Sequence, residues 1–122
     1  MGRIVEKVKI YGMKGSGFYN ASIDTGADRT LISKKVADEI KPVTLEELKQ
    51  MKSVNGHTIN SKEAHISLSI KQCAEMDVKC RIVDYLEGEQ VIIGNDFLQA
   101  NKAYIDMEGD KLILNCPKHW RV

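Results

Sequence analysis

The side chain best suited to chemistry in this sequence is the carboxylate of Asp24, which lies in the run Asp24-Thr25-Gly26-Ala27. Residues 18–23 before it have the pattern of a β-strand, so a strand would deliver the aspartate into a tight Thr-Gly turn. A carboxylate held in this way can accept a proton from water or donate one to a carbonyl group. Taken alone, the same run also fits an ordinary turn in which the aspartate only supports the backbone.

A second stretch, about 70 residues further along, has the pattern of a strand that passes through a glycine into a helix. Residues 91–93 are all apolar and Gly94 follows them. Asn95 or Asp96 then stands where a helix N-cap is expected, ahead of Phe97 and Leu98. The sequence therefore predicts a strand, a glycine and a short helix in this order.

Two short helices are indicated between these stretches. Ser33 can cap the first, whose apolar side would be formed by Val36, Ala37 and Ile40 and which Pro42 would end. Thr44 and Glu47 fit a capping box, which predicts a second helical turn. A loop that leads into a strand fits residues 44–48 nearly as well.

Most of the remaining chain is predicted to form strands and hairpins. Glycines in residues 12–17 indicate a hairpin connection, and Asn55-Gly56 is the strongest short hairpin signal in the chain. Residues 65–70 alternate between polar and apolar side chains, and residues 103–114 suggest a last hairpin. About seven strands and one or two short helices predict a small β-rich barrel or closed sheet.

Read together, Asp24-Thr25-Gly26-Ala27 and residues 91–98, with an Asn-Gly hairpin between them, resemble the retropepsin family of aspartic proteases. That family comprises the retroviral and retrotransposon proteases and their cellular relatives. The resemblance covers roughly residues 4–115. It implies an all-β fold, a small closed β-barrel of the retropepsin type with one short C-terminal helix. We expect a single domain over residues 1–122, with residues 116–122 as a C-terminal tail.

The resemblance also implies which residues carry the reaction. Asp24 matches the catalytic aspartate, Thr25 the threonine that braces two catalytic loops, and Gly26 the glycine that lets backbone approach the substrate. The chemistry needs two carboxylates that share a proton, and this chain has one Asp-Thr-Gly and no room for a second lobe. We therefore expect a symmetric homodimer in which each chain supplies one Asp24.

Ala27 departs from the pattern of many pepsin-like enzymes, which carry Ser or Thr at this place. Without that hydroxyl, one hydrogen bond that would favour the charged carboxylate is missing. The sequence therefore predicts an activity optimum at mildly acidic rather than strongly acidic pH.

Substrate contacts are implied on both sides of the site. Asn55 and Gly56 match the tip of a flap that closes over an extended peptide. Four apolar residues could line pockets for substrate side chains: Ile32, Val54, Ile59 and Ile92. Asp28 matches an acidic position that holds substrate backbone. Its usual partner, an arginine directly after the glycine of the second motif, is replaced by Asn95, which puts the bracing of Asp28 in doubt.

Composition narrows the possible partners. The 122 residues carry a formal net charge of +1, which gives no reason to expect nucleic acid or an anionic membrane. No apolar run approaches the ~20 residues needed to cross a bilayer, and the N-terminus does not resemble a signal peptide, so the cytoplasm is the expected location. The three cysteines are expected to be reduced, and no metal or cofactor is expected.

Two functions from different classes follow. The first is a homodimeric aspartic endopeptidase that acts on peptides or unfolded protein. The alternative is a non-catalytic module of the same fold that only dimerises or binds peptides. A metal- or thiol-dependent hydrolase is a remote third possibility.

Overall fold

The computed structural model describes residues 4–52, 58–71, 73–106, 108 and 111–114. This part of the chain forms nine strands and two helices: β1 (Ile4–Gly12), β2 (Gly15–Ile23), β3 (Leu31–Ser33), α1 (Lys34–Ile40), β4 (Val43–Lys52), β5 (Thr58–Ile70), β6 (Met76–Val83), β7 (Val91–Ile93), α2 (Asn95–Ala100), β8 (Tyr104–Asp106) and β9 (Lys111–Ile113).

Six strands form a closed barrel in the order β1-β2-β7-β3-β6-β5, because β1 also pairs with β5. Strand β4 extends the sheet from the other edge of β5, and β8 and β9 form a separate two-stranded sheet. The pairs β2–β7 and β3–β6 are parallel, and the other pairs in the barrel are antiparallel. The predicted closed β-barrel with a short C-terminal helix, α2, is confirmed.

Alternation along the strands sends one set of apolar side chains into the barrel. On β5, Ile66, Leu68 and Ile70 are buried, while the polar residues between them are exposed or half-buried. On β7, Val91 and Ile93 are fully buried. Because strand side chains alternate between faces, this burial fixes which residues of β7 face away from the core.

Helix α1 forms as the sequence predicts. The Ser33 side chain caps it by accepting a hydrogen bond of 3.3 Å from the backbone N–H of Val36. The helix buries Val36, Ala37 and Ile40 and ends at Lys41, which has a positive φ of 54°. Such a left-handed residue is a common way to end a helix.

The β1–β2 turn caps the other end of α1. The backbone N–H of Met13 donates to the Lys41 carbonyl oxygen at 2.8 Å, and that of Lys14 donates to the Ile40 carbonyl oxygen at 3.2 Å. A side chain at Gly12 would place its Cβ 2.8 Å from the Ile40 carbonyl carbon. Glycine is therefore required at position 12 for the hairpin to approach the helix end.

The described residues form nine strands, whereas the sequence predicts about seven. The two additional strands are β3 and β4. The helical turn predicted for residues 44–48 is wrong, because residues 43–52 pair with β5 as strand β4, with an irregular register between Thr44 and Leu48. Pairing in the sheet here outweighs the local capping-box pattern. The alternative, a loop that leads into a strand, is the correct one.

Strands β4 and β5 pair antiparallel as far as Lys52 opposite Thr58, and the predicted Asn-Gly hairpin falls on residues 53–57 between them. Its expected tip residues Val54, Asn55 and Gly56 lie outside the described residues, as does the tail at residues 116–122.

The prediction that all cysteines are reduced is wrong for Cys73, which is disulfide-bonded. The prediction rested on the odd number of cysteines, but an odd number only requires one cysteine to remain unpaired. Cys80 is a free and buried thiol. Cys116 lies outside the described residues.

Candidate active site

The loop between β2 and β3, residues 24–30, presents the Asp24 carboxylate to solvent. The Asp24 carbonyl oxygen accepts a hydrogen bond of 3.2 Å from the Ala27 N–H, which closes a turn. The Gly26 N–H donates to Asp24 Oδ1 at 2.9 Å. A Cβ at position 26 would lie 3.2 Å from that same oxygen, so glycine gives the carboxylate room to approach the backbone. Asp24 is exposed but held in one orientation by its own turn.

The second motif passes against this loop and fixes its backbone. The Asp24 N–H donates to the Ile93 carbonyl oxygen at 3.0 Å, and the Asn95 N–H donates to the Ala27 carbonyl oxygen at 2.7 Å. A Cβ at Gly94 would lie 2.6 Å from the Arg29 carbonyl carbon and 2.8 Å from the Ala27 carbonyl oxygen. Gly94 is thus the point where the chain can pass closely behind the loop.

Thr30, which no sequence motif indicates, and Asp96, which the sequence predicts only as a possible helix N-cap, hold the end of the loop. Thr30 is fully buried, and its Oγ1 donates to Asp96 Oδ1 at 2.8 Å and accepts from the Gly94 N–H at 3.2 Å. The Thr30 N–H donates to Asp96 Oδ2 at 3.0 Å. The available signal is a threonine directly before the apolar pair Leu31-Ile32, because a hydroxyl that is buried with such a pair needs a partner.

The prediction that Asn95 or Asp96 is the N-cap of α2 is wrong. The N-cap residue is Gly94, which offers no side chain for the helix N-terminus. Asp96 instead lies in the first turn, where its carboxylate accepts from the N–H of Phe97 at 2.7 Å and from Thr30. The carboxylate therefore joins the helix start to the loop.

Comparison with known proteins gives the family. The family model of the gag-polyprotein putative aspartyl protease matches residues 12–100, more than half of the chain. The chain belongs to this family. The resemblance to retropepsin-like aspartic proteases drawn from the sequence is thereby confirmed.

Solved structures show the same fold for this aspartyl protease family member. The EIAV protease complexed with the inhibitor HBY-793 matches with a TM-score of 0.64 and 20% identity, over 93% of this chain and 94% of that one. The retroviral protease-like domain of Ddi1 from Leishmania major matches with a TM-score of 0.69 and 14% identity, over 94% and 90%. No curated protein matches the sequence.

The other residues that the sequence predicts for the site occupy distinct positions around Asp24. Thr25 is exposed, and its carbonyl oxygen accepts a hydrogen bond of 2.5 Å from Asn95 Nδ2. Asn95, which replaces the expected arginine, therefore braces Thr25 instead of Asp28. Asp28 is exposed, its carbonyl oxygen accepts from the Asp96 N–H at 3.2 Å, and its carboxylate has no hydrogen bond among the described residues.

Ile92 is half-buried and faces away from Val91 and Ile93, both of which point into the core. Its register partners are Ser22 on β2 and Leu31 on β3. Ile92 therefore lies on the outer face of the barrel sheet, and its role in a substrate pocket stays a prediction. The same prediction is wrong for Ile32, which is fully buried in the core. The side chain of Ile59 lies outside those that the structure describes.

The thiol of Cys80 is not suited to nucleophilic chemistry. Burial, followed by the nearby Asp96 carboxylate, raises its pKa to about 12, so it stays protonated at ordinary pH. Among the residues that the structure describes, no group of three His, Cys, Asp or Glu side chains could hold a metal ion. No helix in the described part is long and apolar enough to cross a membrane.

Proposed function

We propose that this chain is a homodimeric aspartic endopeptidase that hydrolyses peptide bonds with a water molecule activated by two Asp24 carboxylates, one per chain. The observation that carries the proposal is the Asp24 loop, in which an exposed carboxylate is oriented by Gly26 and clamped from behind by residues 93–96.

The reaction follows from two carboxylates that share one proton. The ionised Asp24 accepts a proton from water as the water oxygen attacks the peptide carbonyl carbon. The protonated Asp24 of the other chain donates its proton to the carbonyl oxygen, and the resulting tetrahedral intermediate collapses with proton transfer to the leaving amine. Thr25 would brace the two loops across the twofold axis, since its hydroxyl has no hydrogen bond among the described residues of one chain.

The proposed substrate is an extended segment of peptide or unfolded protein. Strand addition beneath the hairpin at Val54, Asn55 and Gly56 would supply backbone hydrogen bonds, and Asp28 and Ile92 would contact the chain near the cut. The half-buried Ile92 favours an apolar side chain beside the scissile bond. The proposal keeps the cytoplasm as the location, although a disulfide such as that at Cys73 is rarer there than in oxidising compartments.

The hairpin of β8 and β9 supports dimer formation. It forms a sheet of its own, anchored by the buried Leu112, while Tyr104 is exposed. Among the described strands, β8 and β9 pair only with each other, so their outer edges are open to further strands. Pairing with the same hairpin of a second chain would give it further strands.

The pH dependence of cleavage is the first expected result. Ala27 offers no hydroxyl to the Asp24 carboxylate, and the hydrogen bond that the structure gives this carboxylate within the loop comes from Gly26. We expect kcat/KM to peak at mildly acidic pH, and a pH–rate profile measures it. A maximum below about pH 3, in the range of the lower values of aspartic dyads, would contradict this expectation.

The proposal is tested by dilution. Cleavage of a fluorogenic peptide should fall faster than linearly with protein concentration once the dimer dissociates, because a monomer has only one Asp24. Sedimentation measured over the same concentrations should show monomers appearing as specific activity is lost. Constant specific activity in a fully monomeric sample would contradict the two-chain site.

A further inference from the structure

The carboxylate of Asp28 is an exposed charge close to Asp24. The hydrogen bond from the Ala27 N–H to the Asp24 carbonyl oxygen closes a turn, which keeps the Cα atoms of residues 24 and 27 within about 7 Å of each other. Asp28 follows directly, so its Cα atom lies within about 11 Å of that of Asp24. Since an extended peptide advances about 3.3 Å per residue, a substrate side chain a few residues from the cut can reach Asp28.

This carboxylate has no partner in the described part of the chain. It accepts no hydrogen bond and forms no ion pair there, and it is the Asp28 carbonyl oxygen that accepts from the Asp96 N–H, at 3.2 Å. Asn95 stands where the resembling family has an arginine, and its side-chain amide donates to the Thr25 carbonyl oxygen instead. An asparagine carries no charge that could neutralise a carboxylate. The negative charge of Asp28 is therefore available to a ligand.

Two arginines lie near this loop, and neither is paired with Asp28. Arg29 lines a groove beside α2 to which Asp96 also belongs and Asp28 does not. Arg81 is on β6, next to β3, and its Nη2 atom lies 3.6 Å from Glu63 Oε1. Among the described residues, no guanidinium or ammonium group forms an ion pair with Asp28. A cation that binds Asp28 would have no competitor within the described chain.

We propose that Asp28 is a specificity-determining residue, which favours substrates that carry a guanidinium or ammonium side chain a few residues from the cut bond. This inference rests on the proposed protease function and names the class of its substrate. A contact with substrate backbone, which the family resemblance implies for Asp28, would not distinguish one side chain from another. An arginine side chain suits a free carboxylate best, because its planar group binds carboxylates with two parallel hydrogen bonds. Each chain of the proposed homodimer supplies one Asp28, so the preference applies on both sides of the cut.

The test compares two peptides that differ only by arginine or citrulline at a single position, moved in turn along the sequence around the cut. Citrulline has nearly the same shape as arginine but no charge. At the positions that reach Asp28 we expect kcat/KM to favour arginine by about fivefold, the size of a good ion pair at an exposed site. This ratio should shrink at high salt, because salt screens exposed charges.

Two variants assign the preference to Asp28. Asp28→Asn keeps the shape of the side chain and removes its charge, so arginine and citrulline peptides should be cut at equal rates. Asn95→Arg introduces a cation next to Asp28 within the chain, which should lower the preference by competing with the substrate. The ratio of the two peptides cancels any loss of kcat that they share. Asp38→Asn is the matched control, because Asp38 is also exposed but lies on α1, which ends beside the β1–β2 turn, and its removal should leave the preference unchanged.

The outcomes separate this inference from the proposed function. Wild-type cleavage with equal rates for arginine and citrulline at every position would overturn the inference and leave the protease proposal intact. A preference that survives in Asp28→Asn would also overturn it, and this variant should fold, because its exposed carboxylate has no hydrogen bond to lose. If no peptide is cleaved, the protease proposal fails, and binding of the same peptides to Asp24→Asn still measures the preference. Equal binding there would overturn the inference as well.

Discussion

Replacing Asp24 with asparagine is expected to lower the kcat of peptide cleavage by about 10²- to 10⁴-fold, the usual contribution of general acid–base catalysis. Asparagine keeps the shape of the side chain and can still accept the Gly26 N–H, but it can neither take a proton from water nor give one to the carbonyl oxygen. The fold should be unaffected, because Asp24 is exposed and its backbone contacts do not depend on the carboxylate. Steady-state cleavage with a pepstatin-like inhibitor control measures the loss.

Mixing the Asp24→Asn chain with the wild type tests whether each active site needs two chains. If each site needs two copies of Asp24, an equal amount of Asp24→Asn chain, added to wild type and allowed to exchange, should lower the activity to roughly half, because half of the wild-type chains then pair with the variant. A site complete in one chain would show no loss on mixing. If the wild type and Asp24→Asn are equally inactive while both bind peptides, the non-catalytic peptide-binding module is the correct function.

Replacing Gly94 with alanine is expected to have the second largest effect. The added methyl group would meet the backbone of Ala27 and Arg29, which cannot move aside as a side chain can. The loop must then shift, at a cost of about 1–3 kcal/mol in the free energy of unfolding. Since displacement of a catalytic group by about 1 Å can cost 10²-fold, we expect kcat to fall by about that factor.

Gly12→Ala is the control for stability alone. Its methyl group would also meet backbone, at Ile40, but at the end of α1 rather than behind Asp24. Urea denaturation should show that both variants are destabilised, while the kcat of the folded protein should fall in Gly94→Ala only. Equal kcat values in the two variants would show that Gly94 does not shape the Asp24 loop.

Most strands of the barrel could be predicted, because the sequence patterns that specify them lie within a few neighbouring residues. The alternation on β5 and the glycines between β1 and β2 each specify structure over a few neighbouring residues. The Asp24 turn and the strand-glycine-helix motif were recognisable for the same reason. Their order along the chain was enough to indicate the family.

The contacts that join these pieces were not predictable in the same way. Thr30 and Asp96 are 66 residues apart, and nothing in either segment alone shows that they meet. Local sequence predicts Asn95 or Asp96 as the helix N-cap, because Asn and Asp are preferred at that position. At residues 44–48 the local pattern favoured a helix, and only the presence of β5 as a neighbour makes the segment a strand. Arg81 and Glu63 likewise become partners only through the register of β5 and β6.

The clamp behind Asp24 has a consequence for the order of events during synthesis. The loop at residues 24–30 is translated before residues 93–96, which supply the backbone that orients it. A nascent chain that lacks residues 93–96 therefore carries the aspartate without the segment that shapes its surroundings. Under the proposed function, the chain would become able to cut only after β7 has been made, so a growing polypeptide would not be exposed to the active site of a partly translated copy.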